Sequence, residues 1–146
     1  MSVIVSIHPE TRGELFDDVL KDYPSLEKSI LQDFRICMES KGLRLADYFG
    51  CDQPYSHPPA ARSGQLRHIH IALPPQTFDP RKAQCYRKCS KDLPELDAAL
   101  VYVQGVMEED HYMILAFFAP NGHDKAKVEK VMTKLGILAK KFRDEH

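Results

Sequence analysis

The run Leu66-Arg67-His68-Ile69-His70-Ile71-Ala72-Leu73 constrains the fold more than any other stretch of the chain. Side chains of a strand alternate between two faces, so Ile69, Ile71 and Leu73 fall on one side and His68 and His70 on the other. Pro74-Pro75 ends the run. A strand that is aliphatic on one face and polar on the other belongs in a sheet packed on one side and open on the other. Two nearly continuous apolar runs, Ala99–Gly105 and Tyr112–Ala119, follow as strands, with Glu108-Glu109-Asp110 as the hairpin loop between them. Residues 2–7 form a fourth strand: Val3, Val5 and Ile7 alternate with Ser2, Ser6 and His8, and Pro9 closes it.

Helical spacing fills the remainder. Thr11 and Glu14 stand as a capping box ahead of Leu15, Phe16, Val19, Leu20 and Tyr23. Ser25 is placed to cap a second helix whose stripe is Leu26, Ile30, Leu31, Phe34 and Met38, ending at Lys41-Gly42. A last helix runs from about His123, with Val128, Val131, Met132, Leu135, Leu138, Ala139 and Phe142 on one face. Residues 42–65, rich in Gly and Pro, read as a long loop, and 76–97 as a polar, basic crossover with a helical turn near 80–90. The expected order is β-α-α-β-β-β-α, an α+β fold with helices on one side of an antiparallel or mixed sheet, in one domain spanning 1–146.

Composition narrows the class. No apolar run reaches the ~18 residues of a membrane span, and the N-terminus lacks a signal-like start, so no membrane partner is expected. Four cysteines among 146 residues read as reduced thiols of a cytoplasmic protein. The net charge of −1 hides an asymmetry: residues 61–92 hold seven basic side chains against two acidic ones, while residues 1–60 hold six against ten. The last helix is basic too. A polyanion on one face fits that distribution.

His68 and His70 are the sharpest chemical feature. Two imidazoles on an open face, beside Arg67 and across from Tyr102 or Gln104, supply a base and an acid near neutral pH. His123, at the start of a helix, is a third candidate. Arg62, Arg67, Lys127 and Arg143 flank the same face as phosphate holders, and Tyr55 is placed to stack on a base. A zinc site drawing Cys85 and Cys89 to the two histidines is a competing reading of the same residues.

The segments His68-Ile69-His70-Ile71-Ala72, Leu100–Gly105 and Pro120 through Arg143, with Gly42…Tyr48-Phe49-Gly50…Asp52…Pro54-Tyr55 upstream, resemble the YafO family of type II toxins. Cys51 stands where that family often has an arginine. The resemblance implies a RelE-like fold and a ribosome-dependent mRNA interferase restrained by a cognate antitoxin. It implies metal-free, cofactor-free cleavage: the RNA 2′-hydroxyl attacks the neighbouring phosphodiester, with His68, His70 and His123 as acid and base in an order left open. Two alternatives remain at this point, a toxin of the same fold that binds a protein such as a topoisomerase, and a zinc-stabilised binding module.

Overall fold

The computed structural model describes residues 2–146; Met1, the first residue of the N-terminal run, lies outside the described residues. Five strands make one mixed sheet: β1 (Ile4–Ile7), β2 (Phe49–Pro54), β3 (Arg67–Ala72), β4 (Asp97–Gln104) and β5 (His111–Phe118), in the order β1-β5-β4-β3-β2. β1 runs parallel to β5, and every other pair is antiparallel. The helices are α1 (Asp18–Leu20), opened by a wide turn over Gly13–Asp17, then α2 (Pro24–Glu39), α3 (Pro59–Ser63), α4 (Gly122–Lys125) and α5 (Glu129–Glu145).

The α+β class holds, with three corrections. β2 and α3 lie inside the stretch read as loop, because Phe49-Gly50-Cys51 is too short and Gly-broken to show a period. The C-terminal helix is interrupted between Lys125 and Glu129. The helices occupy both faces of the sheet rather than one, since β4 and β5 are apolar on both sides and each side needs a cover. On one face α2 and the α1 region pack Phe16, Leu20, Leu26, Ile30 and Phe34 against Ile69, Ile71, Leu100 and Ile114. On the other α5 packs Met132, Leu135, Ala139 and Phe142 against Val101, Val103, Leu115 and Phe118. Phe34 is fully buried, edge-on to Tyr102 and Tyr112 at 5.1 and 5.7 Å, contacts worth about 0.5–1.5 kcal/mol each beyond burial.

The capping readings also shift. The Thr11 hydroxyl bonds back to the His8 carbonyl, and α2 begins on Pro24 with no side-chain cap from Ser25. Pro at the first turn loses no hydrogen bond, so it starts the helix without one. The crossover between β3 and β4 is strapped along β2: Cys51 N–H donates to the Arg87 carbonyl at 2.8 Å, and the buried Arg87 guanidinium donates to the Phe49, Pro80 and Lys82 carbonyls. That strap satisfies an edge that the strand would otherwise leave unpaired. Among the described residues no helix is long and apolar enough to cross a membrane.

Candidate active site

α5 covers β4 and β5 but not the whole of β3. His68 and His70, opposite Val101 and Ala99 in register, therefore stay at the edge of the α5 layer and line a pocket. The pocket encloses about 60 Å³ between Tyr55, His68, His70, Asp97, Ala98, Ala99, Gly122, His123 and Ala126. His123 arrives from the far end of β5. Asn121 takes φ 58°, a left-handed conformation that asparagine tolerates, and turns the chain so that α4 lies back over the start of β4. Gly122 permits the approach, since a Cβ there would sit 3.2 Å from the Ala98 Cα and the Asp97 carboxylate.

Hydrogen bonds set the face each ring presents. Asp97, 3% exposed, places Oδ2 2.6 Å from His123 Nδ1 and accepts the His123 backbone N–H at 2.7 Å. His123 Nε2 is thereby left for the pocket. The Cys89 backbone N–H donates to His70 Nδ1 at 3.0 Å, so a neutral His70 carries its proton on Nε2. His68 stacks on Tyr55 with ring centroids 4.1 Å apart, tilts against His70 at 5.3 Å, and His70 meets His123 at 5.7 Å. His68 Nδ1 and the Tyr55 hydroxyl are buried with no partner in the chain.

Burial dominates the electrostatics. It lowers His68 from the ordinary 6.5 to about 3, with His70, His123 and Arg67 adding repulsion and a Gln53 backbone hydrogen bond opposing. Burial likewise lowers His70 to about 4, helped by His123 and Lys88 and opposed by Asp97. Both rings are neutral at pH 7. Burial also pushes the Tyr55 hydroxyl well up, with Asp97 adding to it.

The sequence-derived residues divide. His68, His70, His123 and Tyr55 come together, although one face of the Tyr55 ring is taken by His68. Lys127 lines a cleft of about 370 Å³ that adjoins the pocket at Ala126 and continues over His57, Pro58 and Pro59. Arg62 lines the next cleft, of about 540 Å³, which shares His57 and Pro59 with the first. Arg67 lies elsewhere. Sharing the face of Ile69 and Ile71, it pairs with Asp52 at 3.2 Å and donates to the Tyr102 hydroxyl at 3.3 Å. Tyr102 is on that far face as well. Arg143 donates to the Gln104 carbonyl at 2.8 Å, toward the hairpin end of β4 and away from Asp97. The zinc reading also fails on geometry: the Cys89 thiol faces the Ile71 and Ala98 carbonyls, Cys85 is exposed, and among the described residues no cysteine shares a ligand cluster with His68 or His70.

Asp97, the Cys89 amide and Lys88 escaped the sequence reading. Strand parity could have found Asp97, which shares the face of Ala99 and Val101, had β4 been begun two residues earlier. The amide carried no signal.

Three imidazoles thus meet at one sheet edge, one of them oriented by a buried carboxylate, beside a cleft that Lys127 and Glu129 both line. The family described as Toxin YafO, type II toxin-antitoxin system, matches residues 32–144; the chain belongs to that family of toxins. The mRNA interferase toxin YafO of Escherichia coli (strain K12) is 32% identical over 102 residues, covering 68% of this chain and 73% of that protein. The matched stretch 32–144 contains every residue lining the pocket. No solved structure matches the chain.

Proposed function

We propose that residues 1–146 act as one RelE-like toxin domain, an mRNA interferase that arrests translation by cutting mRNA on the ribosome in the cytoplasm until a cognate antitoxin binds it. The carrying observation is the pocket itself: Asp97 fixes His123 by Nδ1, and His68 and His70 converge on the same space from β3.

In this reading His123 Nε2 takes the proton of the 2′-hydroxyl. The carboxylate of Asp97 holds the ring in the required tautomer and faces the imidazolium that forms. The 2′-oxygen then bonds to phosphorus and the bond from phosphorus to the 5′-oxygen breaks, leaving a 2′,3′-cyclic phosphate and a 5′-hydroxyl. His70 Nε2–H donates to a non-bridging oxygen, where charge builds in the transition state. His68 is the acid. The phosphodiester anion offsets the burial that keeps the free ring uncharged, so His68 takes up a proton as substrate seats and passes it to the departing 5′-oxygen. Lys127 in the adjoining cleft and Arg62 in the one beyond it hold flanking phosphates, and Lys88, whose charge reaches His70, adds to them. Those few cations on a near-neutral chain provide little counterion-release affinity, and ribosomal presentation of the mRNA supplies the missing orientation.

The test is a coupled translation reaction with a defined mRNA, read by primer extension and end-group analysis. Wild-type protein should generate new 5′-hydroxyl ends, and His123→Ala should lose about 10²–10⁴-fold in rate. Translation arrest with no new RNA ends refutes the nuclease reading and favours a protein target.

A further inference from the structure

We propose a divalent metal site, separate from the histidine pocket, where the β4–β5 hairpin meets the end of α5. Glu108, His111 and His146 each bring one ligand atom to within 4.8 Å of the others. Glu108 Oε1 lies 3.3 Å from His146 Nδ1, and Oε2 lies 3.7 Å from His111 Nδ1. Donor atoms bound tetrahedrally to zinc at about 2.0–2.2 Å sit roughly 3.3–3.5 Å from one another, so small side-chain rotations bring the set onto one ion.

Two further observations aim the cluster at a metal. His111 Nδ1 is buried with no hydrogen-bond partner, a costly condition that a ligand bond relieves. Its other ring nitrogen, Nε2, lies 3.5 Å from the Ser6 hydroxyl, the kind of outer contact that fixes which nitrogen of a histidine faces an ion.

The backbone holds the three residues in place without the ion. The Glu108 N–H donates to the His146 carbonyl at 2.5 Å, and the His111 N–H donates to the Glu108 carbonyl at 2.9 Å. Phe142 braces both rings, stacked on His146 at 4.4 Å and edge-on to His111 at 5.0 Å.

Two imidazoles and one carboxylate suit Zn²⁺ better than Mg²⁺ or Ca²⁺, which take oxygen donors. The cluster sits at the other end of β4 from Asp97, so the ion clips the hairpin to α5 and stays outside the pocket's proton transfers. Binding to the folded state alone raises stability by mass action.

The experiment uses tag-free protein stripped with a chelator and titrated with Zn²⁺ by calorimetry, with thermal unfolding in parallel. One saturable equivalent and a higher Tm are expected. Glu108→Gln and His146→Ala should each weaken binding by about tenfold or more, and His146→Ala keeps the backbone hydrogen bond that ties Glu108 to residue 146, with thermal unfolding of the metal-free variant as the check that it folds. A His68→Gln/His70→Gln/His123→Gln variant should bind Zn²⁺ as wild type does. Absence of saturable binding, full affinity in His146→Ala, or loss of binding in the pocket variant overturns the site.

Discussion

One oxygen of Asp97 holds both ends of His123: Oδ2 is 2.6 Å from the ring Nδ1 and 2.7 Å from the backbone nitrogen of the same residue. A ring held at both its backbone and its Nδ1 can neither flip nor swing, and Nε2 keeps one direction. The carboxylate also joins the start of β4 to the turn after β5, two segments 26 residues apart in sequence.

Asp97→Asn is therefore expected to preserve shape and lose function. An amide in that position can donate to Nδ1, which moves the ring proton to Nε2 and removes the base. Cleavage should fall about 10²–10⁴-fold, while stability drops by only about 1–3 kcal/mol for the altered buried contact. Because Asp97 acts through His123, Asp97→Asn/His123→Ala should be no slower than His123→Ala alone. Additive losses in that comparison would show that Asp97 is not a positioning residue.

The depressed imidazoles tie stability to pH. Above about pH 6.5 neither the folded nor the unfolded chain protonates residues 68 and 70. Below it the unfolded chain binds protons that the folded chain refuses until about 4 for His70 and about 3 for His68. The unfolded state binds more protons across that window, so stability must fall as pH falls, by at most about 1.4 kcal/mol per pH unit for each ring. Urea unfolding between neutrality and about pH 5 measures this limb. A His68→Gln/His70→Gln variant should show a flatter one, and an unchanged slope would mean that the rings titrate alike in both states.

Arg67 supports the fold on the face away from the pocket. Asp52 Oδ2 accepts the Tyr102 hydroxyl at 2.6 Å and Asp52 Oδ1 accepts Arg67 Nε at 3.2 Å. Burial raises the Asp52 carboxyl above its usual range against the pull of both partners. Arg67→Gln leaves that carboxylate short of its cation and should cost about 1–3 kcal/mol in urea unfolding at pH 7, and less in acid. The cleavage rate of the folded variant should stay within about twofold of wild type. A rate loss at unchanged stability would return Arg67 to a phosphate-binding role.

Parity explains which parts of this molecule were legible in the sequence. Alternation in Leu66–Leu73 placed His68 and His70 on one face, and the same rule puts Arg67 on the other, because Arg67 is in step with Ile69. Composition gathers positive charge along a segment without saying which face each side chain takes, and so it groups Arg67 and Arg143 with the histidines. Apolar runs told where β4 and β5 lie but not that both faces are covered, since a doubly covered strand has no period to read. β2 was hidden for a different reason. Its pairing depends on β3 and on the Arg87 strap, both distant contacts, and Gly50 sits in its middle because a Cβ there would lie 2.3 Å from the Arg87 carbonyl oxygen.

The same close-packing logic at α3 and α5 gives a stability prediction that reaches the site. A Cβ on Gly136 would lie 2.3 Å from the Ala60 carbonyl carbon and 2.4 Å from the Ala61 nitrogen; one on Gly64 would lie 2.3 Å from the Gly136 carbonyl oxygen. These are backbone atoms of two helices in contact, and no rotamer change relieves them. Gly136→Ala gains up to about 1 kcal/mol of helix propensity, but overpacking of about 1–3 kcal/mol should outweigh it and push α3 off α5. Pro59, the first residue of α3, lines both clefts beside the pocket, so cleavage should fall together with stability. Gly13→Ala is the control, since its Cβ would meet nothing within 4 Å, and it should leave stability unchanged or raise it by up to about 1 kcal/mol. Urea unfolding of the two variants side by side settles the point: a Gly136→Ala protein as stable as Gly13→Ala would mean that the two helices can part without cost.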